Sequence, residues 1–212
     1  MKYDQIQQAA YKANMQLPEL GLVLFTFGNV SAVDRSLGVF VIKPRGISYG
    51  ELTHAKMVDV DLEGNIVEVD SRPSSDILTH SVLYKHWKNN GGIVHTPSTY
   101  ATAWTQSQRD ISIVGTTHAD HNTVNIPCVS PMDDAMIISN YEYETGFQIM
   151  KCFNEKGLNY EEVEMILVSS HASLAWRATP EKAVYNSAVL ERVTQMAYLS
   201  EQINPESPRL KR

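Results

Sequence analysis

The segment MVDVDLEGNIVEVD, residues 57–70, constrains the fold most. Apolar and acidic residues alternate on both sides of Glu63-Gly64-Asn65, so each arm has one face for a core and one for water. A turn of that composition between two alternating arms predicts a β-hairpin, hence antiparallel pairing. NVSAV and GVFVIKP repeat the pattern around Gly38, where a turn wants a relaxed φ. Further along, GGIVHT, ISIVG, NIPCV and MILVSSH read as short strands, the last running into His171.

Helical spacing fills the intervals. Ile6, Ala10, Ala13 and Leu17 mark an amphipathic helix from about Tyr3 to Leu17. DILTHSVLYKHW after Pro73 reads as a helix capped by Ser74 or Ser75, and STYATAWTQ as one capped by Ser98. A longer period runs from Asp133 to Lys156 and stops at Gly157. The last helix opens at Thr179-Pro180 and carries Ala183, Val184, Val189, Val193, Met196 and Leu199, mostly on one stripe. Strands alternating with helices, hairpins first, give a single α/β domain with a central, largely antiparallel sheet. The expected domain covers residues 1–204, with 205–212 as a short tail.

Composition excludes some functions. A net charge of −6 argues against nucleic acid as a partner, because neutralising a phosphate backbone needs surplus Lys and Arg. It leaves room for a small phosphorylated ligand, which needs only a few local donors. No stretch reaches the ~18 apolar residues of a membrane span, and the N-terminus lacks a signal-type apolar core. Cys128 and Cys152 make no disulfide framework, so reduced buried thiols and a cytoplasmic protein are expected.

Among seven histidines, His95, His118 and His171 end or adjoin short apolar runs. A histidine at the end of a rigid strand suits metal binding, although each taken alone fits a hydrogen-bonded structural role better. With Asp76 at a helix start, the set suggests two or three histidines plus a carboxylate around zinc or another divalent ion. Gly28-Asn29-Val30-Ser31, Lys43-Pro44-Arg45-Gly46 and Ser74-Ser75 are phosphate-type elements, rich in accessible N–H groups and hydroxyls.

In order and spacing, GNVSAVD, GVFVIKP, PSSD, GGIVHT, GTTHAD, IPC, YEYETG and the late His followed by AW resemble the L-ribulose-5-phosphate 4-epimerases of the class II, metal-dependent aldolase family. The resemblance runs from about residue 3 to residue 204. It implies an α/β domain assembled as a C4 homotetramer, with active sites at subunit interfaces and a phosphorylated ketopentose as substrate. It implies Asp76, His95 and His171 as ligands of a divalent metal, usually zinc, which stabilises negative charge as the C3–C4 bond breaks and re-forms on the other face. Asp120 takes the place of a catalytic acid/base. Gly28, Asn29, Gly46, Ser74 and Ser75 take places in the substrate and phosphate pocket. Glu142 matches a position near the site, and His118 a supporting one.

Three departures accompany it. The family's His-Thr-His-Ser is His95-Thr96-Pro97-Ser98 here, which removes one ligand. The phosphate-loop serine is Arg45, still a strong anion binder but a different shape. The family's closing tail, with a second acid/base tyrosine, is replaced by PESPRLKR. The resemblance therefore implies an epimerase or aldolase of reduced turnover. The competing expectation is a non-catalytic binding or assembly module, as in adducin's head domain.

Overall fold

The computed structural model describes residues 2–67 and 72–210. Its elements are α1 (Asp4–Glu19), β1 (Asn29–Asp34), β2 (Val39–Ile42), β3 (Val58–Asp61), α2 (Ile77–His86), β4 (Gly92–Thr96), α3 (Thr99–Ser107), α4 (Thr116–His121), α5 (Asp134–Lys156), β5 (Met165–Leu167), β6 (Ser173–Arg177) and α6 (Pro180–Ile203). Among the described residues the strands form one sheet of order β3-β2-β1-β4-β6-β5, antiparallel at every pairing. The expected α/β architecture with a largely antiparallel sheet is what the chain adopts. No described helix is long and apolar enough to cross a membrane.

Both faces of the sheet are covered. Val39 and Val41 pack with Val30, Ala32 and Val94 against α1 and the start of α6. Phe40, Ile42 and Ile93 point the other way, into Leu83 and Tyr84 of α2 and Ile149 and Phe153 of α5. On that side the Trp87 and Tyr160 rings stack at 5.0 Å and 6°. A third cluster lies between α3, α6 and the β5–β6 edge, around Trp104, Leu167, Ala175 and Leu190. Because successive side chains leave a strand on opposite faces, a sheet covered twice needs fully apolar strands, and β2 is buried throughout.

The structure alters several local expectations. The 57–70 hairpin begins as read: Asp61 N–H donates to the Asn65 carbonyl at 2.8 Å and Val67 N–H to the Asp59 carbonyl at 2.9 Å. The rest of its second arm lies outside the described residues. ISIVG and NIPCV meet through a single bridge, Ile111 to Ile126. Pro127 has no N–H to lengthen that ladder, and Cys128 N–H is taken by the Asp110 carboxylate at 2.8 Å. GTTHAD coils into α4, so His118 sits within a short helix and not at a strand end. β5 stops at Leu167, four residues before His171. On α6, Leu199 is exposed while Ala183, Val184 and Val193 are buried.

The caps differ instructively. The helix expected to start from Ser74 or Ser75 starts one residue later, with Asp76 in the capping position and making no capping bond. Its carboxylate is engaged elsewhere. Ser98 does precede α3, but its buried hydroxyl bonds nothing. Glu191 of α6 takes over that role, accepting from Tyr100 N–H and Ala101 N–H at 2.9 Å each. Glu191→Ala is expected to cost about 2 kcal/mol, two charge-assisted bonds being left unmade. Urea denaturation tests this, with Glu191→Gln, which keeps one acceptor, expected in between.

Candidate metal centre and anion pocket

Asp76, His95 and His171 come from three distant segments, yet one ligand atom of each lies within 4.8 Å of the others. The β1–β4 register sets Asn29 opposite His95, and β4–β6 sets Thr96 opposite Ser173. His171, two residues before Ser173, therefore hangs over the His95 end of the sheet. Its turn is tight: His171 N–H donates to the Val168 carbonyl at 3.0 Å, and Val168 N–H to the Ala172 carbonyl at 2.9 Å. Ser170 carries the left-handed conformation the turn requires, φ 57°.

Asp76 is the hub. Its Oδ2 accepts from Asn29 Nδ2 at 2.6 Å and Ser74 Oγ at 3.2 Å, and lies 2.7 Å from His95 Nδ1. The other His95 nitrogen, Nε2, is buried without a hydrogen-bond partner. Gly28 makes room beside them at φ 69°: a Cβ there would fall 2.6 Å from Val23 Cγ1 and 3.0 Å from the His95 carbonyl oxygen.

These groups fit a divalent cation. Zinc–ligand bonds of about 2.0–2.2 Å put tetrahedral ligand atoms roughly 3.4 Å apart, so a small closure suffices. Two imidazoles and a carboxylate are donors of the kind zinc takes, and His95 Nε2 is a buried nitrogen with no protein partner.

Electrostatics sort the histidines. Burial alone would raise the Asp76 carboxyl, but the charge and hydrogen bond of His95 hold it well below the usual carboxylate range. Burial alone would lower His95, but Asp76 outweighs it and the imidazole is raised. Burial pushes His80 down to about 3, and burial with His95 nearby pushes His171 down to about 4.

A pH prediction follows for the metal-free protein. His95, raised when folded, adds stability below the unfolded value of about 6.5, and that stability is lost as pH rises through its folded pKa. His80, His118 and His171, lowered when folded, remove stability as pH falls below about 6.5. Stability should therefore peak near pH 6.5, with a steeper acid limb (three protons against one). Denaturation in chelator from pH 4.5 to 8.5 measures it, and rising stability on acidification below pH 6 would contradict it.

Beside the cluster, sharing Asp76 and Asn29, lies a cavity of about 330 Å³. Gly28, Arg45, Gly46, Ser74 and Ser75, all expected there from sequence, line it. Lys43 lines it too, almost wholly buried, with Nζ 3.0 Å from the Thr26 carbonyl and desolvation lowering the amine to about 8. The cavity can take an anion at one end while Asp76 faces the cation position.

Two other expected residues, Asp120 and His118, are elsewhere. Asp120 is exposed on α4 and lines a separate cavity of about 340 Å³ with Glu164, Arg177, Lys182 and Tyr185. Arg177 ends β6, whose start adjoins His171, so about 13 Å of strand separates that cavity from the metal cluster. His118 is buried in α4, and its desolvation lowers its pKa. Glu142 is tied through its backbone carbonyl, which accepts from Thr79 Oγ1 at 2.5 Å. Sequence reading missed Tyr141, whose ring stands edge-on to His171 at 5.3 Å and 83°. The motif YEYETG drew the eye to its glutamate alone.

The fold is an α/β domain with one all-antiparallel sheet, and at its strand ends Asp76, His95 and His171 form a cluster that could hold a metal ion, beside a cavity lined by Lys43 and Arg45. This chain belongs to the class II aldolase and adducin N-terminal domain family, whose model matches residues 8–198. Solved structures agree on the fold. An L-fuculose 1-phosphate aldolase superposes with a TM-score of 0.81 at 21% identity, over 98% of this chain and 91% of that one. YgbL of Escherichia coli, described as a putative aldolase/epimerase/decarboxylase, gives 0.76 at 19% over 100% and 96%. The L-fuculose-1-phosphate aldolase of Thermus thermophilus gives 0.73 at 19% over 97% and 100%.

Proposed function

We propose that the protein is a metal-dependent sugar-phosphate enzyme of the L-ribulose-5-phosphate 4-epimerase kind, acting in the cytoplasm on a phosphorylated ketopentose. The observation that carries this is the convergence of Asp76, His95 and His171 directly beside the anion pocket. Zinc held by those three would serve as Lewis acid for an oxygen that gains charge as a carbon–carbon bond breaks. Lys43, Arg45, Ser74, Ser75 and the N–H groups of Gly28, Asn29 and Gly46 would anchor the phosphate, fixing the sugar's reach toward Asp76.

Asp120 is assigned the proton transfer at the C4 oxygen. Since it lies at the other end of the sheet in its own chain, it would serve a neighbouring copy's cluster in a C4 homotetramer. Pro97 and Arg45 are expected to hold turnover below the family norm.

The second reading, a binding or assembly module, is favoured by one observation: position 97, two residues past His95, offers no ligand atom. Metal analysis followed by assay with L-ribulose 5-phosphate separates the two, with L-fuculose 1-phosphate as the comparison substrate. Slow formation of the C4 epimer is expected. Turnover of about 1–1000 per second would refute the impairment. A metal-loaded protein inert toward both sugars would favour the module.

A further inference from the structure

We propose that Tyr141 is a positioning residue that fixes the imidazole plane of His171, and that Asn140 holds Tyr141 in place. The inference rests on reading His171 as a metal ligand.

The three members of the cluster are restrained very differently. Asp76 receives bonds from Asn29 and Ser74 and pairs with His95. His95 is locked by that pair and by strand partners on both sides. The turn around His171 fixes its backbone, but none of the described hydrogen bonds reaches its imidazole. Its ring packs against two others: His95 at 4.9 Å and 44°, and Tyr141 at 5.3 Å and 83°. A metal–imidazole bond lies in the ring plane, so an error of about 10–20° in that plane spoils the site. Packing is what sets the plane here, and the Tyr141 ring is the wall that is not itself a ligand.

Tyr141 owes its place to a break in α5. Asn140 is non-helical, at φ −168° and ψ 90°. Its side-chain oxygen accepts from Tyr143 N–H at 3.2 Å, which caps the helix that resumes at Tyr141. Before the break, residues 134–139 are largely exposed. After it, the helix is pinned to α2 by the Thr79 bond to the Glu142 carbonyl and by Gly146, where a Cβ would come within 2.7 Å of Val82 Cβ. Tyr141 is thus the first residue of a well-anchored helix, aimed at His171 from a fixed base.

The test is a series in the full chain: Tyr141→Phe, Tyr141→Leu and Asn140→Ala. Zn²⁺ affinity is measured by competition with a chelator, and Co²⁺ absorption reports coordination geometry. Phe keeps the ring and should match wild type. Leu should lose about 10- to 100-fold in affinity, the usual range for groups that orient a ligand, with an altered Co²⁺ spectrum. Asn140→Ala, at an exposed position, should fall between. Equal losses for Phe and Leu would overturn the proposal by showing that the hydroxyl acts and not the ring.

A metal-free crystal structure of Tyr141→Leu decides the matter even if wild type binds no metal and the proposed function fails. An imidazole turned by more than about 30° from its wild-type plane supports the inference. An unmoved ring overturns it.

Discussion

Replacing Asp76 by alanine is expected to abolish stoichiometric zinc binding and to destabilise the metal-free protein as well. A four-ligand zinc site is worth about 10–16 kcal/mol, so one ligand accounts for about 3 kcal/mol, or roughly 100-fold in affinity. Removing Asp76 does more than delete a ligand. It strips the orienting partner from His95 and leaves the amide of Asn29 without its 2.6 Å acceptor. Breaking a buried charged pair from one side costs about 3–5 kcal/mol, a cost His95 can reduce by shedding its proton. A loss of about 3 kcal/mol near pH 6 is therefore expected, shrinking above neutrality. Asp76→Asn should keep more stability but little affinity, because the amide cannot supply charge. Retention of metal by the alanine variant would remove Asp76 from the site.

Pro97→His is expected to act in the opposite direction, tightening zinc binding by about 100-fold on the same per-ligand scale. Position 97 is the first residue past β4, and where the chain stays extended residues two apart share a face, which puts it next in the row begun by His95. The proline ring already borders the cluster, its Cδ lying 3.6 Å from where a Cβ on Gly28 would stand. Histidine restores a nitrogen on that row and an N–H that proline lacks. Pro97→Ala restores the N–H alone and separates the two contributions. An unchanged titration for the histidine variant would locate the weakness in the geometry of the remaining three ligands.

The strands were readable because each burial pattern is written locally. Val39 to Ile42 is apolar at every residue, and 57–67 alternates around a glycine turn. The grouping of Asp76, His95 and His171 was readable from ordered motifs, each a few residues long. What stayed hidden depends on partners far along the chain. Glu191 caps α3 from 90 residues away. Asp76 abandons its own helix start for His95, which no local capping preference reveals. The break at Asn140 leaves no glycine or proline as a marker, so the placement of Tyr141 was invisible. GTTHAD was recognised as a motif, but only the folded chain shows Asp120 and the metal cluster at different ends of the sheet.

The position of β4 has a consequence for how the molecule assembles. β1–β2 and β5–β6 are neighbours in sequence, and such hairpins close in microseconds. β4 belongs to neither, pairing residues 92–95 with 29–32 on one side and 92–96 with 173–177 on the other. The sheet is continuous only after two long loops have closed, and such non-local contacts dominate slow folding. While the chain is being synthesised, β3-β2-β1 can form early with the edge of β1 open, a template for mispairing until β4 arrives. The far edge of β4 then waits for residue 177 to emerge. An ion held by Asp76, His95 and His171 would join at the end of that sequence, favouring the finished molecule and doing nothing for the nascent one.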